Sequence, residues 1–184
     1  MKYLIASDIH GSAYYAKKVT DAFKEYECDY LLLLGDILYH GPRNPLPKDY
    51  NPKIVIELLN EMKDKIIACR GNCDSEVDQM VLQFPITNTS QTLIEEDYRI
   101  FLSHGHVYHP DHLPEGIRPG DVFMFGHIHI PVMEEKTGVH IINPGSVSLP
   151  KENNPHTFGV LEHDTFSLID VEGNVIKDYF INRD

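Results

Sequence analysis

Short apolar runs alternate with helical patterns through the first half of the chain. Residues 2–6 (KYLIA) read as a buried strand, 13–26 as a helix, 30–34 with its four leucines as a second buried strand, 52–62 as a helix and 65–70 as a third strand. Such alternation indicates βαβ units, hence a parallel sheet with helices packed against it. Past Asp74 the pattern changes. A short helical stretch at 75–80 leads to strand patterns at 91–95 and 98–103 that a polar turn joins as a hairpin, and further strands are expected at 121–125, 132–135, 139–143, 157–162, 165–170 and 175–181. Turn residues at 136–138 (KTG) and 172–174 (EGN) separate several of these. The proline-rich stretch 42–52 reads as an ordered loop rather than a boundary, because the βαβ pattern resumes directly after it. There is no internal repeat or low-complexity linker, so residues 1–184 are read as a single α/β domain.

Composition narrows the partners. With 16 Lys+Arg against 28 Asp+Glu the net charge is −12, which disfavours long-range attraction to polymeric nucleic acid or to an anionic membrane. Bound divalent metal would reverse that locally, so an anionic small substrate stays open. No apolar run has the length of a signal core or a membrane span, and a cytoplasmic protein is expected. Three cysteines without a CxxC pair fit reduced thiols better than a disulfide framework, whereas 11 histidines are unusual.

Several of those histidines sit with carboxylates where apolar runs end. Asp8-Ile9-His10-Gly11 follows the first strand pattern, Leu34-Gly35-Asp36 ends the second, and Arg70-Gly71-Asn72-Cys73-Asp74 follows the third. Ligands gather outside the carboxyl ends of strands in open α/β sheets. Ser103-His104-Gly105-His106 and Gly126-His127-Ile128-His129 follow two later strands, and if the latter strand continues, His127 and His129 point to one face. Each motif alone also reads as a turn, a helix cap or a surface histidine. Their coincidence at successive strand ends points to a metal site, with Asn72 suited as a neutral oxygen ligand for a hard divalent ion.

In this order the motifs resemble the calcineurin-like metallophosphoesterase superfamily, over residues 5–146. Gly41-Pro42-Arg43-Asn44, the run 70–80 and Asn143-Pro144-Gly145-Ser146-Val147 are closer still to the small bacterial YfcE-type phosphodiesterases. The resemblance implies a sandwich of two mixed β-sheets flanked by helices. It implies two divalent ions, one on Asp8, His10 and His129, the other on Asn72, His104 and His127, with Asp36 between them. It further implies hydrolysis of small or activated phosphodiesters by a hydroxide shared between the ions, with Arg43 as the candidate cation for the phosphate oxygens. The mixed donor set suits Mn(II), with Zn(II) or Fe(II) as alternatives. A homo-oligomer is expected by analogy.

The chain departs from the superfamily pattern in two places. Cys73 stands where a histidine usually serves the leaving group, and a thiol with an ordinary pKa of about 8.5 is a poor proton donor at neutral pH. Activated diesters should therefore be preferred, unless His106, two residues beyond His104 on the same expected strand face, replaces it. Asp74 would orient a neighbour. Tyr39 occupies a position often held by a second Asp, while the 143–146 run is read as a turn near the site with a structural role. His40, His109, His112, His140, His156 and His163 are read as surface or loop residues. Two rivals stand beside this reading: a scaffold acting by protein binding, like the retromer subunit of this fold, and a metal-dependent hydrolase of another bond.

Overall fold

The computed structural model describes residues 1–181. The chain runs β1 (Lys2–Ala6), α1 (Ala13–Glu25), β2 (Tyr30–Leu33), α2 (Pro52–Asn60), a 3₁₀ turn (Lys63–Lys65), β3 (Ile66–Ala68) and α3 (Glu76–Val81). Eight strands follow: β4 (Ser90–Ile94), β5 (Arg99–Ser103), β6 (Val122–Met124), β7 (Pro131–Lys136), β8 (Val139–Pro144), β9 (Thr157–Glu162), β10 (Thr165–Asp170) and β11 (Val175–Phe180). The elements match the reading from the sequence, but β2, β3 and β6 stop one or two residues earlier than expected. The chain turns away there because the next residues carry the site.

The strands form two mixed sheets, ordered β11-β10-β9-β1-β2-β3 and β4-β5-β6-β8-β7. In the first, β1, β2 and β3 are parallel, as the βαβ pattern predicts, and β9 runs antiparallel to β1. In the second, β4 and β5 form the expected hairpin, and the parallel neighbours β5, β6 and β8 point their carboxyl ends one way.

Period-two alternation explains the layering. Tyr3 and Ile5 of β1, with Leu32 and Leu34, face Ile100, Leu102, Val122, Met124 and Ile142 of the other sheet and form the core between them. The intervening residues, Leu4, Ala6, Leu31 and Leu33, face the opposite way onto Ala16 and Val19 of α1 and Val55 and Leu59 of α2. On the far side of the second sheet Phe101, Phe123, Phe125 and Ile141 are covered by loops carrying Tyr108, Leu113 and Ile117. β1 and β2 are thus apolar on both faces because they are covered on both faces.

The helices start where local chemistry places them. Ser12 caps α1, its Oγ accepting from the Tyr15 N–H (3.2 Å) and donating to the Lys48 carbonyl. Pro52 opens α2 at a position where a missing N–H costs nothing. Ser75 and Asp78 form a reciprocal capping box on α3, anchoring that short helix directly after the third candidate loop.

Candidate metal centre

The five candidate loops follow the carboxyl ends of β1, β2 and β3 in one sheet and of β5 and β6 in the other, and their side chains converge. Backbone hydrogen bonds lace the first two together: Asp8 N–H to Gly35 O (3.2 Å), His10 N–H to Asp36 O (2.9 Å) and Gly11 N–H to Ile37 O (2.8 Å). Asp8, His10, Asp36, His127 and His129 all adopt left-handed backbone, with φ of 58°, 50°, 53°, 68° and 61°. Non-glycine residues are strained in that conformation, Asp and His less than most, and the surrounding contacts hold it. It also corrects one expectation. His127 and His129 do not alternate along a strand, because β6 ends at Met124; successive left-handed turns aim them instead.

The imidazole nitrogens divide into two sets. Nδ1 of His10, His104 and His129 lies 2.8, 2.7 and 2.6 Å from the carbonyl oxygens of Tyr39, Leu34 and Leu149. A carbonyl only accepts, so each Nδ1 carries the hydrogen and each Nε2 of a neutral ring presents a lone pair. Those lone pairs converge. His10 Nε2 is 3.3 Å from His129 Nε2, and His104 Nε2 is 3.1 Å from Asn72 Oδ1 and 3.2 Å from His127 Nδ1. Acceptors facing acceptors at these distances need a proton or a cation between them.

Carboxylates complete the convergence. Asp8 Oδ2 accepts from Ser7 Oγ (2.6 Å) and the His127 N–H (3.0 Å), whereas its Oδ1, fully buried, has no hydrogen-bond partner and lies 3.1 Å from His129 Nε2. Asp36 Oδ1 accepts from the Cys73 N–H (2.8 Å), leaving Oδ2 at 3.5 Å from His104 Nε2 and 3.8 Å from His10 Nε2. Donor atoms of Asp8, His10 and His129 lie within 4.8 Å of one another, as do those of Asp8, Asp36 and His104. Burial opposes charge on His104, but the carboxylates of Asp36 and Asp8 outweigh it and push the imidazole up to about 9. Burial likewise opposes ionisation of Asp8, and its histidine neighbours win, holding it well below the usual carboxylate range. Oxygen and imidazole donors in this proportion, with one buried carboxylate oxygen left unpaired, fit divalent metal ions.

The remaining candidates separate. Arg43 and Cys73 line a cleft of about 440 Å³ above these donors, together with Asp36, Asn72, His127 and His129. Burial pushes the half-buried Cys73 thiol up, and the adjacent Asp36 carboxylate adds to this. Asp74 does not line the cleft. Its buried carboxylate accepts three backbone N–H groups, from Asp36 (2.9 Å), Gly71 (2.7 Å) and Ile37 (2.8 Å), and so clamps the second loop to the third. His106 is exposed beyond the end of β5, with Gly105 in left-handed conformation between it and His104; the two do not share a strand face, although their rings lie 5.3 Å apart. His140, expected at the surface, is buried on β8, where its Nδ1 meets Tyr179 Oη at 2.8 Å.

Three contributions escaped the sequence reading. Lys151 lines the cleft from the connection between β8 and β9. Ser148, just past the 143–146 run read as structural, donates to the Asp8 carbonyl at 2.7 Å beside Ser146 at 3.0 Å, and both prop up the first loop. Gly126 is a close-approach glycine, since a Cβ there would overlap Ser7 Oγ and come within 2.9 Å of Asp8 Oδ2.

A family model described as the calcineurin-like phosphoesterase superfamily domain matches residues 1–165. The chain belongs to this superfamily. Its superfamily relatives include phosphodiesterase YfcE of Escherichia coli, 47% identical over 183 residues and covering 99% of each chain. The solved structure of YfcE, a phosphoesterase, superposes with a TM-score of 0.96 over 99% of this chain and 100% of that one. Phosphodiesterase MJ0936 of Methanocaldococcus jannaschii is 28% identical over 79% of this chain and 83% of its own. Zinc-complexed Vps29 of Entamoeba histolytica, at 19% identity and a TM-score of 0.59 over 99% of this chain and 100% of that one, shares the fold. As a superfamily member with a whole-length phosphodiesterase relative, this chain is a phosphoesterase, and membership of the family implies divalent metal ions. Among the described residues no helix is long and apolar enough to cross a membrane.

Proposed function

We propose that the protein is a dinuclear metal-dependent phosphodiesterase acting on small or activated phosphodiesters. The observation that carries the reading is the convergence of three Nε2 lone pairs, each fixed by an Nδ1–H bond to a carbonyl, on the free oxygens of Asp8 and Asp36. Asp8, His10 and His129 would hold one ion and Asn72, His104 and His127 the other, with Asp36 between. When bound, such ions lower the pKa of water to supply a nucleophile near neutral pH and balance charge on the phosphoryl oxygens. Mn(II) is the favoured ion for this donor set.

The protein's own groups do the rest. Asp74 and the Ser146 and Ser148 hydroxyls hold the ligand loops in place before substrate arrives. Arg43 faces the cleft and can pair two phosphate oxygens with its planar fork. Cys73 lines the cleft where the superfamily pattern has a histidine, and burial with the Asp36 carboxylate raises its thiol pKa, which makes it a weaker acid than an imidazolium. The expected substrates therefore carry leaving groups that need no proton.

The test is hydrolysis of an aryl phosphodiester and its monoester by chelator-stripped protein, with and without Mn(II), beside Asp36→Asn and His127→Ala. Metal-restored diester turnover that both variants lose supports the proposal. Stoichiometric metal binding without turnover of any phosphate ester would favour a scaffold role instead.

A further inference from the structure

We propose that Lys151 is a specificity-determining residue that reads a second anionic group on the substrate, beyond the scissile phosphate. The inference rests on the phosphodiesterase reading and deepens it. Lys151 is seated on a ligand loop: its N–H donates to the His129 carbonyl (3.1 Å), while His129 Nδ1–H donates to Leu149 O two residues earlier. Asn154 closes the turn by donating its backbone N–H (3.1 Å) and its side-chain amide (2.8 Å) to the Lys151 carbonyl. Arg43, also on the cleft wall, belongs to a turn held by Asn44, which donates to the Gly41 and His40 carbonyls, and the adjoining Tyr39 carbonyl fixes His10. The two cations therefore both line the cleft, each registered to one ligand of the Asp8–His10–His129 half.

Neither cation makes an ion pair with a described residue, in a chain with 28 acidic residues against 16 basic. Charge counting shows what they are left to meet. Two divalent ions exceed the carboxylates of Asp8 and Asp36 by two positive charges, which a hydroxide nucleophile and a diester monoanion together cancel. Arg43 is already assigned to the phosphate oxygens, so Lys151 remains in excess at the mouth. The cleft, at about 440 Å³, lies within the size range that takes a small organic ligand rather than a bare phosphate. The Lys151 side chain is exposed, so it faces the part of the substrate that protrudes. A flexible ammonium at that position fits a carboxylate or second phosphate on the substituent.

The test compares two p-nitrophenyl phosphodiesters whose retained groups are an alkyl chain and a carboxyalkyl chain of equal length. Wild-type protein should prefer the carboxyalkyl ester in kcat/KM. Lys151→Gln should shrink that preference about tenfold through KM, with kcat for that ester held, and Lys151→Arg should restore it. Equal losses on both esters would put the ammonium on the scissile phosphate and overturn the proposal, as would an unchanged ratio. Binding of the matching alkyl and carboxyalkyl phosphonates, which are not hydrolysed, gives a second readout. If neither diester is turned over, the phosphodiesterase reading fails, while the Kd difference between the phosphonates and its loss in Lys151→Gln still decide the role of Lys151.

Discussion

Asp74 offers the sharpest test of how the site is held, because it touches no candidate ligand side chain and yet fixes two ligand loops. Its Oδ2 accepts the N–H groups of Asp36 and Gly71, and its Oδ1 accepts that of Ile37. Asp74→Asn can keep its amide oxygen in the Oδ2 position, leaving one buried N–H facing an NH₂ donor, for a loss of about 1–3 kcal/mol. Asp74→Ala strips all three donors at once; with some relief as the loops open to water, the expected loss is about 3–5 kcal/mol. Urea unfolding of chelator-treated protein measures both, with m-values compared to check that the same surface unfolds. Calorimetric Mn(II) titration of the folded variants should show weaker binding, about 10–100-fold, because Asp36 and Asn72 lose their common anchor. The ordering Ala worse than Asn is the signature of the clamp. An alanine variant within about 1 kcal/mol of wild type, a deficit below what even one orphaned donor costs, would refute the reasoning, and so would native-like metal affinity in a destabilised variant.

Other consequences follow from single residues. Cys73→His should raise turnover of diesters with alkoxide leaving groups relative to aryl diesters, read as a ratio of kcat values; an unchanged ratio would remove Cys73 from the account of substrate preference. Gly126→Ala drives a methyl into Ser7 Oγ and toward Asp8 Oδ2, so metal binding should collapse in calorimetry while circular dichroism still reports a folded chain. Asp121 accepts from the Arg99 side chain and from the N–H groups of Arg99 and Arg118. Burial opposes its charge but these donors prevail and lower its pKa. The stability this contributes is present above the unfolded carboxylate pKa of about 3.9 and is lost as pH falls through the lower folded value. The urea midpoint of wild type should therefore fall more steeply below about pH 4 than that of Asp121→Asn.

Residue pattern alone determined which strands are covered on both faces and where the candidate donors leave them. The double-sided apolar runs of β1 and β2 announce strands covered on both faces, and Asp8, Asp36, Asn72, His104 and His127 follow strand ends because polar groups can leave a buried sheet only there. These are local properties, legible from a few neighbours. Tertiary structure decided what depends on residues far apart in the chain. The Asp8 loop is propped by Ser146 and Ser148, 138 and 140 residues away, and His127 and His129 are aimed by left-handed turns that no periodicity encodes. Asp74 turned out to serve backbone donors rather than the cleft, and His140 found Tyr179 in the core instead of solvent. Lys151 reached the cleft only because its turn hydrogen-bonds to His129. The physical reason is the same in each case. A hydrogen bond or a close approach between distant segments has no trace in the spacing of either segment, and only the packing of the folded chain brings them together.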